Sequence, residues 1–517
     1  MTLPYRKSPS RKSVLSAPVI HDPSRKTLSG RVAVVAFNAT IADEFAAKVQ
    51  AGIPKLKGTV QQEAIWEAML TGRENLTVSA GAGCGKSTTL LQVCPQSTPV
   101  STVHSLGFAA VRRTFRNVKV DKFKTSNIVE EFYGKNFPFH LRVVLERAVS
   151  LCKANLLTGT KEDLEYLEDH YDLNTNGESH RIEEMLPEVL KVSRDETSII
   201  DFDDMIWLPL IHDLFIDKCD LLMVDEAQDL NRARQELLFR SCHRMVLVGD
   251  PNQAVYGFTG ADTESMDRMS TRFRDTERGI LTLPLTYTRR CPSSHVKLAN
   301  SLVPDFHPLP GSPKGVIRES DLATNIAIGD MVVCRTNAPL VRTVYGLLRN
   351  DIPARIQGRD IGEGLVRLIN RLRADSIPSL ATKLDHYEAT ESARIRNSRR
   401  SESALMALND KCECIRALSE GMTSVPLLVS RITNLFFDTT QAAGPRYVLL
   451  TSIHRGKGLE AERVWILQPE LLPHPLAKMD WEKVQERNLA YVAVTRSLDT
   501  LSFVGPIPPI LNSNQQE

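Results

Sequence analysis

Short apolar runs rich in β-branched residues alternate along this chain with longer segments in which apolar residues recur at helical spacing. Polar or glycine-containing sequence follows each run at once, as in buried parallel strands that are joined by helices. The pattern predicts an α/β fold on parallel sheets, with chemistry at the carboxyl ends of the strands. The predicted strands cover residues 76–79, 221–224, 245–248, 331–334, 447–450 and 464–467.

Length and composition indicate a soluble protein of more than one domain. A chain of 517 residues is too long for one ordinary core, and 42% hydrophobic with 24% charged residues is typical of globular proteins. The net charge of +2 leaves nucleic-acid binding open, because a balanced protein can be basic along one groove. Residues 1–30 are rich in Ser, Pro, Arg and Lys and predict a disordered basic tail. An organelle transit peptide is the less favoured alternative, since prolines interrupt any amphipathic helix.

The cysteines and the apolar runs indicate in which cellular compartment the protein is expected. Nine cysteines show no metal-ligand spacing, and the close pair Cys412 and Cys414 fits a helix better than half of a zinc site. Reduced thiols and the lack of a membrane-spanning apolar run predict a cytoplasmic protein with no membrane partner. Such a protein would be nucleoid-associated, or in the host cytoplasm if a phage encodes it.

The stretch SAGAGCGKSTTL at 79–90 has the pattern of a phosphate-binding loop, although Ala80 holds the first glycine position. Its glycines let backbone N–H groups turn toward a triphosphate at the start of a helix. Lys86 is expected to reach the β- and γ-phosphates of ATP, and Ser87 to bind Mg²⁺. A chance glycine-rich turn is disfavoured by the strand before and the helix after. The expected nucleotide-contacting residues are Ala80, Gly81, Ala82, Gly83, Cys84, Gly85, Lys86, Ser87 and Thr88.

Two later strands end in polar loops. LLMVDEAQDL at 221–230 delivers Asp225, which suits a metal-holding carboxylate, and Glu226, which suits a base that activates water. Alone such a pair is commonplace, but after a phosphate-binding loop it is the expected Mg²⁺ partner. In VLVGDPNQAVYGFTGAD, Gln253 is placed to touch a γ-phosphate. Tyr256 and Phe258 either stack on bases or belong to the core.

Together these stretches resemble superfamily 1 helicases of the UvrD/Rep/PcrA type, and the resemblance runs from about residue 31 to 505. Further motifs follow in family order. VQQEAI resembles the Q motif, STVHSLG the threonine-histidine motif, TSIHRGKGLEAERVWIL motif V and QERNLAYVAVTRS motif VI. IIDFDDM and VVCRTNAPL also fit.

The resemblance implies two RecA-like P-loop NTPase motor domains, with ATP in the cleft between them and single-stranded DNA across the top. The expected divisions are a tail at 1–30, a first motor at 31–280 and a second motor at 281–517. Helical insertions are expected at about 108–198 and about 365–440, and Leu405, Leu408, Cys412, Ile415 and Leu418 predict a helical hairpin in the second.

Roles for further residues also come from the resemblance. Arg290 and Arg496 would stabilise charge on the transferring phosphoryl group, Gln61 would read adenine, and Glu460 would hold the nucleotide sugar. The expected DNA track comprises Thr102, His104, Tyr256, Phe258, Thr451 and His454. For His104, Phe258 and His454 an ordinary loop or core role is the alternative.

Two positions depart from the family pattern. Relatives carry an aromatic residue before Arg290 to stack on adenine, whereas this chain has Arg289 there and Tyr287 two residues earlier. Which of the two stacks is left open, since a guanidinium plane also stacks. Thr259 stands where many relatives have an arginine, which puts that link to the γ-phosphate in question.

The implied activity is an ATP-driven DNA helicase or translocase, moving 3′ to 5′ on single-stranded or tailed duplex DNA in repair, recombination or replication. The alternative is a helicase-like ATPase subunit, such as the partner of an antiphage nuclease, which senses DNA without processive unwinding. Short insertions favour a need for a protein partner, a nuclease or a repair factor. Too little sequence follows motif VI for an appended nuclease domain.

The stretch VAVVAFNATIADE at 32–44 predicts a strand followed by an amphipathic helix, ahead of the phosphate loop. In relatives a similar unit lies between the phosphate loop and the threonine-histidine motif, where only LQVCPQSTPVS stands here. The strand is therefore expected to enter the first motor's sheet by a permuted connection and to present Phe37 and Asn38 to DNA. The alternative is an unrelated leading strand and helix, with Ile41 and Phe45 in the core either way.

Overall fold

The structure is a computed structural model that describes residues 30–36, 38–52, 57–171, 173, 175, 177–255, 264–320, 325–396, 402–437, 446–475, 477 and 479–512. It confirms the predicted α/β class: the described chain builds two larger parallel sheets covered by helices. All six strands predicted from apolar runs are present. Buried apolar side chains occupy both faces of the central strands, which explains why those runs are continuous rather than alternating.

The first sheet has six parallel strands in the order β3-β1-β6-β7-β2-β8. Its phosphate-loop strand β2 lies between β7 and β8, and β6, which ends one residue before Asp225, lies two places from β2. The strands are β1 Val32–Ala36, β2 Asn75–Ala80, β3 Val100–Thr102, β6 Cys219–Val224, β7 Cys242–Gly249 and β8 Ile280–Leu285.

The early strand β1 lies inside this sheet, as the permutation hypothesis requires. It pairs in parallel with β3, where Val34 faces Val100, and with β6, where Val34 faces Met223. Val34 is fully buried, so the strand contributes to the core as well as to the ladder. The place of β1 inside the first sheet is therefore confirmed, whereas its equivalence to the displaced unit of relatives and its contact with DNA stay predictions.

The interior position of β1 gives a stability prediction. Val34→Ala is expected to lower the free energy of unfolding by roughly 2 kcal/mol, because it removes two buried methyl groups and leaves a cavity. Val60→Ala is the matched control, since Val60 is 84% exposed. Urea unfolding of both variants checks this. Equal stabilities for the two variants would contradict an interior β1.

The second sheet has seven parallel strands in the order β11-β17-β16-β12-β15-β13-β14. Two short parallel pairs, β4 with β5 and β9 with β10, lie outside the two large sheets. The strands are β4 Lys119–Val120, β5 Ile199–Ile200, β9 Tyr287–Thr288, β10 His307–Pro308, β11 Val316–Ser320, β12 Met331–Cys334, β13 Ala354–Gln357, β14 Phe436–Phe437, β15 Val448–Ser452, β16 Ala461–Leu467 and β17 Ser497–Val504.

One predicted boundary needs correction. The division placed after residue 280 falls inside β8, which pairs with β2 along its whole length, from Asn75 opposite Ile280 to Ala80 opposite Leu285. The first sheet therefore extends to Leu285. The sequence prediction erred because it assigned the apolar residues before LTYTRR to the second domain together with that motif. The two-domain division with this amended boundary is a proposal.

Helices cover both sheets and build two helical insertions. The helices are α1 Ala39–Ala51, α2 Val60–Thr71, α3 Lys86–Leu91, α4 Val103–Thr114, α5 Lys124–Tyr133, α6 Phe139–Asn155, α7 Lys161–Tyr171, α8 Ser179–Asp195, α9 Asp204–Ile211, α10 Arg232–Arg240, α11 Ser265–Arg274, α12 Ser293–Ala299, α13 Ala338–Arg349, α14 Arg359–Leu372, α15 Ile377–Arg396, α16 Glu402–Ser419, α17 Val425–Leu435 and α18 Asp480–Val494. The predicted hairpin is confirmed, because α15 packs on α16 with Cys412 and Ile415 buried.

The IIDFDDM segment has a structural role at the base of the first insertion. Asp204 accepts from Lys124 Nζ at 2.6 Å and from Lys153 Nζ at 2.8 Å, and Asp201 accepts from Lys153 at 2.7 Å. Both lysines and Asp204 are buried. Because buried charges require such partners, the carboxylates fix α5 and α6 against the start of α9.

Candidate nucleotide and DNA sites

The phosphate-binding loop leaves β2 and enters α3 through residues with left-handed backbone. Gly83 has φ 67° and Gly85 has φ 84°, conformations that favour glycine. A Cβ added at Gly83 would lie 2.3 Å from Cβ of Arg290, so the loop also needs glycine to accept the approaching chain. This backbone has the glycine-dependent conformation expected of a triphosphate cradle, although no glycine occupies position 80, and contact with a nucleotide stays a prediction.

Ser87, Asp225 and Glu226 meet at the loop. The Ser87 hydroxyl donates to Asp225 Oδ2 at 2.8 Å, and Lys86 Nζ lies 3.8 Å from Glu226 Oε1. A hydroxyl beside a carboxylate is an oxygen donor set of the kind Mg²⁺ takes together with phosphate oxygens. The residues present therefore fit Mg²⁺ as a ligand.

The pKa values of Asp225 and Glu226 are shifted in opposite directions. Burial and the neighbouring Glu226 raise the pKa of Asp225. Burial opposes ionisation of Glu226 as well, but Lys86 and Lys457 outweigh it and lower its pKa. Glu226 is therefore ionised at neutral pH, which suits a group that accepts a proton from water.

A hydrogen-bond chain that the sequence did not predict orients Glu226. Gln228 Nε2 donates to Glu226 Oε2 at 2.5 Å, and Gln228 Oε1 accepts from the backbone N–H of Asp250 at 2.9 Å. Gln253 Nε2 donates to Asp250 Oδ2 at 2.6 Å. Gln253 is therefore connected to Glu226 through two intermediate residues. The sequence signal for this chain of hydrogen bonds was the position of DEAQDL and GDPNQ, because these segments follow the carboxyl ends of two neighbouring strands.

The residues expected to act as arginine fingers lie beside this cluster. Arg290 forms an ion pair with Glu460 at 2.5 Å, and Arg496 is 1% exposed and donates to the backbone oxygens of Val492 and Leu459. Burial, and then Arg290, lower the pKa of Arg496 to about 10. The structure thus pairs Glu460 with Arg290, and contact of Glu460 with a nucleotide sugar stays a prediction.

Two contacts that the sequence did not predict bring α18 and the motif V loop against the first sheet. The hydroxyl of Tyr491 accepts from the backbone N–H of Ala82 at 2.9 Å. Lys457 Nζ lies 2.5 Å from Asp229 Oδ2, and both side chains are buried. Burial raises the pKa of Asp229 to about 6, although Lys457 opposes the shift. Both contacts lie within the immediate surroundings of the phosphate loop and Glu226.

The buried pair gives a second stability prediction. Lys457→Met is expected to lower the free energy of unfolding by about 3–5 kcal/mol, because it leaves the buried Asp229 carboxylate without its cation. Adding Asp229→Asn should restore part of this loss. Lys48→Met is the control, since Lys48 pairs with Glu44 at the surface and should change stability by under about 0.5 kcal/mol. Urea unfolding distinguishes them, and equal small effects would refute a coupled buried pair.

The expected adenine contacts are held by protein groups. Gln61 Nε2 donates to Thr286 Oγ1 at 3.1 Å, and Gln61 Oε1 accepts from the Thr286 backbone N–H at 2.9 Å. The ring of Tyr287 contacts that of His307, with centroids 5.6 Å apart. Arg289 donates to Gln62 at 3.4 Å. These contacts leave open which of Tyr287 and Arg289 stacks on adenine.

The predicted DNA contacts divide into three groups. Phe37, Tyr256 and Phe258 lie outside the described residues. Asn38 and Thr102 cap the amino termini of α1 and α4, each with its side-chain oxygen on a backbone N–H. The third group, His104, Thr451 and His454, has side chains partly or wholly inside the protein.

Thr451, at the end of β15, is fully buried, and its hydroxyl donates to Gln357 at 2.9 Å. Contact of Thr451 with DNA stays a prediction. His104 contacts Phe202 edge-on, and burial followed by Arg234 lowers its pKa to about 4.

His454 lines a cavity of about 780 Å³ between the helical insertions and the second sheet. Its walls come from α6, α16, α18 and the loops that follow β12 and β15. Burial, then Arg335 and Arg455, lower the pKa of His454 to about 3, so its imidazole is neutral at pH 7. A neutral histidine binds DNA through hydrogen bonds rather than charge.

The fold and the phosphate loop define a P-loop protein with two parallel sheets meeting at the nucleotide site. The chain belongs to the superfamily 1 helicases of the UvrD/Rep type. A model of the UvrD/REP helicase N-terminal domain matches residues 94–274, and a model of the UvrD-like helicase C-terminal domain matches residues 389–504. The first match begins after the phosphate loop, so it does not include the permuted strand β1.

Individual relatives are distant. The chain is 24% identical to an F-box DNA helicase protein 1 of Schizosaccharomyces pombe, over 86% of this chain and 57% of that protein. It is 26% identical to an ATP-dependent DNA helicase UvrD2 of Mycobacterium tuberculosis, over 60% of this chain and 52% of the relative. The chain thus spans about half the length of these curated relatives. An arterivirus nonstructural protein 10 helicase in complex with DNA matches at 11% identity over 84% of this chain and 62% of that chain, with a TM-score of 0.28.

In the described part of the chain, the helices are all too short or too polar to cross a membrane.

Proposed function

We propose that this protein is an ATP-driven DNA helicase or translocase that moves 3′ to 5′ on single-stranded DNA. The observation that carries the proposal is the cluster of Lys86, Ser87, Asp225 and Glu226. Arg496 and Lys457, from segments next to the strands of the second sheet, lie close enough to this cluster to lower the pKa of Glu226. The direction of movement rests on family membership alone. Tailed duplexes are the proposed substrates, and a nuclease or repair factor is the proposed partner.

The proposed chemistry assigns each side chain one task. Lys86 would hold the β- and γ-phosphates, and Glu226 would take a proton from the attacking water. Ser87 and Asp225 would hold Mg²⁺, which when bound neutralises phosphate charge. Arg290 and Arg496 would leave their present protein partners to meet the negative charge that develops on the transferring phosphoryl group.

Movement is proposed to follow from contacts that cross the nucleotide site. The Tyr491 hydroxyl meets the phosphate loop at Ala82, and Lys457 meets Asp229 three residues after Glu226. A change in the contacts that the loop makes with the nucleotide phosphates would therefore be transmitted directly to α18 and to the loop that carries His454. Alternating ATP binding and hydrolysis would then close and open the two domains on DNA.

Duplexes with a 3′ or a 5′ single-stranded tail test the proposal. Unwinding of the 3′-tailed duplex with ATP, and not of the 5′-tailed one, is expected. DNA-stimulated ATP hydrolysis with unwinding of neither duplex would instead indicate the helicase-like subunit of a larger complex. The short insertion formed by α14 to α17 would explain such a result.

A further inference from the structure

The phosphate-binding loop has β6 on one side and the chain that follows β8 on the other. Strand β2, which leads into the loop, lies between β7 and β8, and Asp225 and Glu226 follow β6 beyond β7. The attacking water is proposed to lie with these carboxylates, at the γ-phosphate end of a bound triphosphate. Because the base is at the opposite end of the nucleotide, it is expected on the β8 side.

The two glutamines on the β8 side are already engaged by the protein. Both amide atoms of Gln61 bond to Thr286, at 3.1 and 2.9 Å. Gln62 is buried, with Nε2 donating to Thr89 Oγ1 at 3.0 Å and Oε1 accepting from the Thr59 backbone N–H at 3.1 Å. Since these bonds fix both amides to protein groups, a base on this side needs another polar partner.

Arg289 is an exposed cation on the same side of the loop. Its backbone N–H donates to the Gly83 oxygen at 3.0 Å, which holds the residue against the loop. Its Nη2 lies 3.4 Å from both the Lys57 oxygen and Gln62 Oε1, which are long distances for hydrogen bonds. Gln62 is itself beside the loop, because a Cβ added at Gly85 would lie 3.3 Å from its Nε2. The guanidinium is therefore close to the loop, weakly held and accessible to a ligand.

The chemistry of a guanidinium distinguishes the two purines. An arginine side chain offers only donors, arranged in a planar fork. Guanine presents two neighbouring acceptors, O6 and N7, whereas adenine presents N7 beside the N6 amine, which is a donor. The fork can therefore give two parallel hydrogen bonds to guanine, but to adenine it can give one, with the amine opposing its second donor.

We propose that Arg289 reads the base of the bound nucleotide, and that this site hydrolyses GTP at least as well as ATP. The inference rests on the proposed function, since it names the nucleotides that the same site would use. ATP and GTP carry the same triphosphate, so the tasks of Lys86 and Glu226 are the same for both. Recognition by Arg289 thus acts on KM, and the chemical step is common to the two nucleotides.

Steady-state hydrolysis of ATP and of GTP, each with saturating single-stranded DNA, tests the role of Arg289. The wild-type protein is expected to show a kcat/KM for GTP equal to or above that for ATP. Arg289→Lys keeps the positive charge but removes the fork, and Arg289→Tyr supplies a ring that stacks on either purine. Each variant is expected to lower the ratio of the GTP to the ATP kcat/KM roughly tenfold, the size of one lost charge-assisted hydrogen bond, with kcat retained.

Arg278→Lys is the matched control, because Arg278 also donates to a backbone oxygen, that of Arg73 at 3.2 Å, but at the other end of β8. It should leave the ratio unchanged. Wild-type protein that hydrolyses ATP with a lower kcat/KM for GTP would overturn the inference and leave the proposed function standing. Equal effects of Arg289→Lys on both nucleotides would also overturn it, since the fork would then have no part in base recognition. Hydrolysis of neither nucleotide would overturn the proposed function and the inference with it.

Discussion

Lys86→Ala is expected to reduce the rate of ATP hydrolysis by roughly 10²- to 10³-fold, the loss typical of removing one preorganised group from a developing charge. The physical reason lies in the site: Lys86 is the cation directed at the phosphate loop, with Glu226, Asp250 and Asp225 all stabilising its charged form. Steady-state phosphate release at saturating ATP measures the effect.

Lys483→Ala is the control for this change, because Lys483 is an exposed lysine paired with Asp480 and should retain wild-type turnover. Thermal unfolding of both variants separates lost chemistry from lost folding. Undiminished hydrolysis by folded Lys86→Ala protein would show that the loop at 79–90 is not the catalytic phosphate site.

Glu226→Gln is expected to slow hydrolysis by roughly 10²- to 10⁴-fold while nucleotide binding is retained, because the amide keeps the shape but cannot accept a proton. Glu226 has φ 54°, and its carboxylate accepts a hydrogen bond from Gln228 and lies 3.8 Å from Lys86 Nζ. Single-turnover hydrolysis, together with the affinity for a fluorescent ATP analogue, separates the chemical step from binding.

Glu236→Gln is the matched control, since Glu236 lies in the same domain and pairs with Arg240 and Arg272 away from the loop. It should hydrolyse ATP at the wild-type rate. A Glu226→Gln protein that loses nucleotide affinity but keeps its turnover would assign Glu226 to binding and leave the base unidentified.

Local sequence patterns predicted much of this fold because the residues of each helix, strand or loop carry the signal for that element. Continuous apolar runs identified the central strands, and glycines at 83 and 85 identified a loop whose backbone needs positive φ. The displaced strand β1 was predictable by subtraction, since the segment between the phosphate loop and Thr102 is too short to hold it.

Contacts between segments that are distant in the sequence could not be predicted in the same way. Nothing near Lys457 in the sequence identifies Asp229 as its partner, and nothing near Ala82 identifies Tyr491. These pairs depend on how the two sheets meet, which is a property of tertiary packing. The same holds for Thr451, since nothing near it in the sequence identifies Gln357 as the acceptor of its hydroxyl.

ATP hydrolysis by the purified wild-type protein, measured with and without single-stranded DNA, tests the central proposal most directly. Contacts from the second sheet's elements to the phosphate loop and Asp229 lead us to expect a clear increase in turnover when a single strand binds, since the strand would favour the closed cleft. Hydrolysis that is the same with and without DNA would contradict a DNA-driven motor.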